Sequence, residues 1–154
     1  MRLNTFRKNI VISSSVLWLA FTGPLSQAAE LKKATMYKPL RCGCCDDYAK
    51  YLEKNGFEVE VKSLRSLSQT KRMAGVPQGL EGCHTLMVDG YVIDGLVPVN
   101  TVNKLLTERP DIKGITLPGM PWGAPGMDSR PKDAPLVTYA FKEGSSKTEV
   151  YAKD

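Results

Sequence analysis

Three of the chain's four cysteines, Cys42, Cys44 and Cys45, lie within four positions. They stand between Ala34-Thr35-Met36-Tyr37, which reads as a short strand, and Asp46–Asn55, where Tyr48, Ala49 and Leu52 recur at helical spacing. A strand, a tight turn and a helix opening on a Cys-x-x-Cys pair put Cys42 at or just before the helix start and Cys45 about one turn later. Unpaired amide hydrogens and the positive helix end favour a thiolate there, which can attack a disulfide or ligate a soft metal. Gly43 lets the backbone turn sharply so that the sulfurs approach one another. Adjacent Cys44 and Cys45 would make a strained bridge, so Cys42 with Cys45 is the better internal pair. Cys44 is then a third sulfur that a simple dithiol exchanger does not need, or a small buried hydrophobe in the first helical turn.

The N-terminus decides the compartment in which these thiols must survive. Arg2, Arg7 and Lys8 precede a mainly apolar run, Ile10–Phe21, and Ser26-Gln27-Ala28 supplies small residues at the positions a signal peptidase inspects. The run is about 12 residues, short of the roughly 20 that cross a bilayer, so residues 1–28 are expected to be a cleaved secretory signal with cleavage near Ala28 or Ala29. Removing them takes three of the 21 basic residues and none of the 16 acidic ones, so the charge falls from +5 to +2. No basic stripe with interleaved aromatics is left, which argues against nucleic acid, and no second apolar stretch is long enough to hold the mature chain in a membrane. In an oxidising compartment a thiol persists when a partner reduces it, when it holds a metal, or when it cycles through a disulfide. A cluster this crowded closes too small a loop to act as a structural staple.

The mature chain is long enough for one domain, expected over residues 29–143, with a polar tail at 144–154 that frays. After the first helix, Asn55-Gly56 is a stop signal and Phe57–Val61 alternates as a strand with one wet face. Ser66–Ala74 reads as a short helix. Thr85–Val88 and Tyr91–Ile93 flank Asp89-Gly90, a strong hairpin signal, and Pro98 opens a helix over Val99–Glu108. This order suits an α/β domain with a mixed four-stranded sheet flanked by helices. Ile115–Asp128 is rich in Pro, Gly and Met and predicts an irregular loop packed back over the domain through Trp122, Met120 and Met127. Leu136–Phe141 is expected to add an edge strand.

The fourth cysteine precedes the chain's one histidine, Cys83-His84, in a turn that enters the Thr85–Val88 strand. In such a sheet that turn can face the opening of the first helix. Cys42, Cys45, Cys83 and His84, with Cys44 as a fifth candidate, would then converge, a donor set that suits Cu(I) or zinc and not calcium or magnesium. Alternatives stay open: a structural Cys44–Cys83 disulfide, and a His84 satisfied by the backbone. Met120 and Met127 are candidate thioether ligands or plugs of the core, while Met36 and Met87 belong to the core. Tyr48 is placed to pack behind the cysteines, and Glu81 is either a support of the Cys-His turn or an ordinary solvated acid. Phosphate loops, zinc-protease signatures and nucleophile elbows are all missing from the sequence.

Taken together, Tyr37-Lys38-x-x-x-Cys42-Gly43-Cys44-Cys45, Asn55-Gly56-Phe57-Glu58-Val59, Gly82-Cys83-His84-Thr85, Gly90-Tyr91-Val92-Ile93-Asp94-Gly95, Val97-Pro98, Arg109-Pro110-Asp111-Ile112-x-Gly114 and Pro118-Gly119-Met120-Pro121-x-Gly123-x-Pro125-Gly126-Met127 resemble the CopG family of exported bacterial proteins. The likeness spans about residues 34–128. It implies a thioredoxin-like fold, the periplasm, and copper, held as Cu(I) and in the extreme as a multi-copper thiolate cluster. By the same resemblance Cys42, Cys44 and Cys45 are the family's triple-cysteine motif and Cys83 with His84 its cysteine–histidine pair. His84 would stand where thioredoxin relatives carry a cis-proline, which favours metal binding over general disulfide exchange. The expected function is a periplasmic Cu(I)-binding thiol protein of copper resistance. Cys42 and Cys45 would be the redox-active pair, and the partner a copper efflux, oxidase or chaperone protein. A thiol–disulfide oxidoreductase acting on proteins and a disulfide-stabilised interaction module are the alternatives.

Overall fold

A computed structural model describes residues 30–127 and 134–154. The expected signal segment, with its cleavage position, lies outside the described residues. The elements follow the order β1 (Lys32–Pro39), α1 (Gly43–Glu53), β2 (Phe57–Leu64), α2 (Ser68–Met73), β3 (Thr85–Val88), β4 (Tyr91–Asp94), α3 (Val99–Glu108), β5 (Gly114–Thr116), β6 (Val137–Phe141) and β7 (Thr148–Lys153). One mixed sheet holds the strands in the order β2-β1-β3-β4-β5-β6-β7.

This sheet corrects the expected four-stranded, thioredoxin-like architecture. The strands expected at Ala34–Tyr37, Phe57–Val61, Thr85–Val88 and Tyr91–Ile93 all form, and β1 pairs parallel with β2 and antiparallel with β3. The sheet, however, does not stop at β4. β5 joins it in parallel, β6 pairs antiparallel with β5, and β7 closes antiparallel on β6. A bare β4 would offer a row of unpaired amides and carbonyls, and the C-terminal third of the chain covers that row. Two lesser expectations change with it. Residues 137–141 form an interior strand rather than an edge, and the segment read as a fraying polar tail carries β7, pinned by reciprocal backbone bonds between Leu136 and Asp154.

The two faces of the sheet are read from alternation along its central strands. Leu86 and Val88 of β3, with Tyr91 and Ile93 of β4, belong to one core cluster with Tyr48, Ala49 and Leu52 of α1 and Val102 and Leu105 of α3. Met87 and Val92 instead join Ala74 and Val76, just beyond α2, and Phe141 of β6. Successive residues of a strand point to opposite sides, so α1 and α3 share one face and the segment after α2 covers the other. Met36, Tyr48, Leu52, Leu86, Ile93, Leu105 and Ile115 are fully buried in the larger cluster. Fully burying each such side chain is worth about 1.5–3 kcal/mol, so this face carries most of the folding energy. Among the described residues, no helix is long and apolar enough to cross a membrane.

Candidate metal centre

The centre forms where the β1–α1 turn meets the turn entering β3. Cys42 is the N-cap of α1, Cys44 and Cys45 lie in its first turn, and Cys42 and Cys45 are joined by a disulfide with their Cα atoms 5.3 Å apart. Cys45 is fully buried, while Cys42, Cys44 and Cys83 are partly buried. Cys44 and Cys83 carry free thiols, so the alternative of a structural Cys44–Cys83 bridge is not what forms. All four sulfurs lie within 4.8 Å of one another, and the group is able to coordinate a metal ion. Cys42 Sγ is 3.5 Å from Cys44 Sγ, and Cys45 Sγ is 3.9 Å from the Cys83 carbonyl oxygen. Gly43 has an ordinary φ and open space around it, so the turn does not depend on a glycine there.

His84 sits beside this group with a buried ring. Its Nδ1 is 3.3 Å from Cys83 Sγ, its ring centroid is 4.7 Å from that of Tyr48, and its Nε2 has no hydrogen-bond partner among the described residues. Burial, with the Lys71 ammonium nearby, pulls its pKa down to about 3, so the imidazole is neutral and can act as a donor at any ordinary pH. Burial, reinforced by the neighbouring Cys44, pushes the Cys83 thiol up to about 12. Cys83 is therefore a protonated thiol without a metal, and a bound cation would have to displace that proton. Tyr48 backs the site as expected: it is fully buried, and its hydroxyl donates to the Val97 carbonyl at 2.7 Å.

The methionines separate. Met120, 55% exposed, has its Sδ 3.8 Å from Cys44 Sγ at the outer rim of the centre. Met127 is partly buried against the main core cluster. The loop that carries both is pressed onto the helix opening at Gly126, where φ is +87° and a Cβ would lie 2.5 Å from the Cys44 carbonyl oxygen. Its other end runs beside the Cys83 turn: Gly82 forms a parallel bridge with Gly119, whose N–H donates to the Glu81 carbonyl at 3.0 Å. Glu81 also accepts the Gly79 N–H through its carboxylate at 2.6 Å, so it shapes this turn.

Two ion pairs that the sequence reading did not single out hold the two turns in place. Lys38, 5% exposed, pairs with Asp46 at 2.9 Å and ties the end of β1 to the first turn of α1. Asp94 at the end of β4 is fully buried and accepts from three donors: Gly82 N–H at 2.5 Å, Thr85 Oγ1 at 2.7 Å and Lys71 Nζ at 2.5 Å. Lys71 also reaches the His84 carbonyl at 3.4 Å. Gly82 and Thr85 bracket Cys83 and His84, so this carboxylate fixes both ends of the dipeptide that faces α1. An acid inside an apolar strand segment, Tyr91-Val92-Ile93-Asp94, was the signal available in the sequence.

Comparison with known proteins completes the picture. Residues 80–127 match the family described as "Protein of unknown function, DUF411". No protein among the curated ones matches the chain. Two solved structures do match, described as "Copper resistance protein copG- Form 2" and "Copper resistance protein copG- Form 1". The first is 35% identical with a TM-score of 0.74, over 81% of this chain and 99% of that one. The second is 34% identical with a TM-score of 0.74, over 81% of this chain and 98% of that one. A chain that spans almost the whole of such relatives, with its cysteines gathered into a metal-competent group, belongs to the CopG family.

Proposed function

We propose that this chain is a periplasmic Cu(I)-binding thiol protein of copper resistance, exported by the signal at residues 1–28. The observation that carries this reading is the gathering of four sulfurs from two separate turns within 4.8 Å. Metal–thiolate bonds are about 2.3 Å long, so sulfurs sharing an ion lie within about 4.6 Å of each other, and this group needs only small adjustments. Thiolates suit Cu(I) or zinc and disfavour calcium and magnesium, and a sulfur that bridges two Cu(I) ions lets the same four residues hold more than one. In the reduced chain Cys42, Cys44, Cys45 and Cys83 are the ligands, with neutral His84 beside them and Met120 at the rim. The two relatives described as copper resistance proteins support the same cargo.

Cys42 and Cys45 give the site a redox capacity. When their thiols close to a disulfide they release two protons and two electrons, which reduce two Cu(II) ions to Cu(I). A periplasmic thiol reductant then reopens the bridge, and a copper efflux, oxidase or chaperone protein receives the ion. Titration of the anaerobically reduced protein with Cu(I) against a chromophoric chelator is expected to show tight binding that weakens at least tenfold in Cys83→Ser. Absence of binding, or a Cys83→Ser variant that binds like the parent, overturns the shared site. Mixing the reduced protein with Cu(II) is expected to yield Cu(I) with loss of two thiols, and failure of both removes the redox step.

The closed Cys42–Cys45 pair at a helix opening also favours a second reading, exchange of disulfides with other proteins. That reading requires turnover of a dithiol substrate in a copper-free sample.

A further inference from the structure

The disulfide divides the sulfur group in two. Closing Cys42 onto Cys45 takes two thiolates away, yet it leaves the Cys44 and Cys83 thiols free and still within 4.8 Å of each other. Met120 Sδ stands 3.8 Å from Cys44 Sγ on the solvent side, on a side chain that is 55% exposed. Two thiols and a thioether are all soft donors, and Cu(I) is satisfied by two or three of them. An ion about 2.3 Å from both thiolates fits the Cys44–Cys83 separation with shifts of a few tenths of an ångström, and Met120, in contact with Cys44, is the thioether at hand to add a third bond. The methionine rim is held independently of the disulfide, by the Gly82–Gly119 bridge and by the contact of Gly126 with α1.

We infer that the disulfide-closed protein keeps a Cu(I) site of its own, made of Cys44, Cys83 and Met120, so that oxidation lowers the copper capacity of the chain without abolishing it. This inference rests on the copper reading above. Loading this site is not a redox step: each thiol gives its proton to solvent, two Cu–S bonds form to the thiolates, and the thioether adds a third donor without losing a proton. Partly exposed Cys44 and Met120 form the entrance, and Cys83 the inner wall. The closed form then holds an ion at the surface, where a partner can exchange it, whereas opening the disulfide adds two inner sulfurs that draw copper inward.

The test uses mature protein with the bridge closed, verified by two thiols per chain, titrated anaerobically with Cu(I) against bathocuproine disulfonate. The expected result is one Cu(I) per chain, with both thiols masked while copper is bound and both recovered when it is removed. Met120→Leu, a change at an exposed position that leaves the core untouched, is expected to weaken this site about tenfold, and Cys44→Ser to abolish it. The inference is overturned if the closed form retains no copper while the reduced form does. It is equally overturned if Met120→Leu binds like the parent, or if the two thiols are found joined after copper removal. If neither the closed nor the reduced form binds Cu(I), the proposed function fails along with it.

Discussion

Replacing Asp94 by Asn tests whether the Cys83 turn is held by one buried carboxylate. The three groups around Asp94 are all donors: the Gly82 N–H, the Thr85 hydroxyl and the Lys71 ammonium. An amide keeps one acceptor oxygen but must turn its NH2 toward at least one of them, and it leaves Lys71, whose side chain is 12% exposed, without its counter-charge. Breaking a buried ion pair from one side costs about 3–5 kcal/mol. The lower figure is the better one here, because a slightly exposed lysine can reach toward water. With a urea m-value of about 1.5 kcal/mol/M, a loss of about 3 kcal/mol moves the midpoint down by about 2 M. Thr85→Val removes a single neutral donor from the same carboxylate and should cost only about 1 kcal/mol. Both are measured by urea unfolding of the disulfide-closed protein followed by circular dichroism. A shift below about 0.3 M for Asp94→Asn, or equal shifts for the two variants, would refute the reasoning, since one carboxylate then does not organise the turn.

Three further outcomes follow from the site. In the disulfide-closed protein, iodoacetamide at pH 8 should label Cys44 well before Cys83, because a thiol pushed up to about 12 is only about one part in ten thousand ionised there; peptide mapping reads the order. Buried His84, its pKa pulled down to about 3, stays neutral in the folded chain while the unfolded chain takes up a proton near pH 6.5. Its contribution to stability is therefore complete above about pH 6.5 and is lost as pH falls toward 3, by up to about 4–5 kcal/mol in all, and a metal-free His84→Leu variant should lack this acid slope in urea midpoints. Gly126→Ala combines a φ of +87° with a Cβ 2.5 Å from the Cys44 carbonyl, so it should cost about 2–3 kcal/mol and loosen Met120 from the rim, read as a lower urea midpoint together with weaker Cu(I) retention in the closed form.

What the sequence made legible follows from how local each signal is. The opening of α1 on Cys42, the Asp89-Gly90 hairpin and the bounds of α3 at Val99–Glu108 are set by neighbours a few positions apart, and they appear where expected. The approach of Cys83 to α1 was anticipated because the order of the first four strands leaves that turn little room elsewhere. β5 was missed because it has three residues, all buried, and so no alternation to read. β7 was missed for the opposite reason: an edge strand with no fully buried residue carries a weak apolar pattern, and its partner β6 specifies it. The thioredoxin-like expectation failed on these two strands. Asp94 was passed over as one polar residue in an apolar run, because its meaning lies in Lys71 and Gly82, which come from other parts of the chain. The methionines looked alike in sequence, and only the path of the loop sends Met120 to the sulfurs and Met127 to the core.

The bridge between Cys42 and Cys45 links residues three apart, both fixed already by the first turn of one helix. A crosslink gains its leverage from the length of chain it encloses, and this one encloses almost none. The redox step proposed above therefore asks only this short bridge to open and close, while the sheet, the helices and the hydrophobic interior stay as they are. Under that proposal the scaffold is an inert frame around one corner, and no cycle of the bridge needs to unfold it.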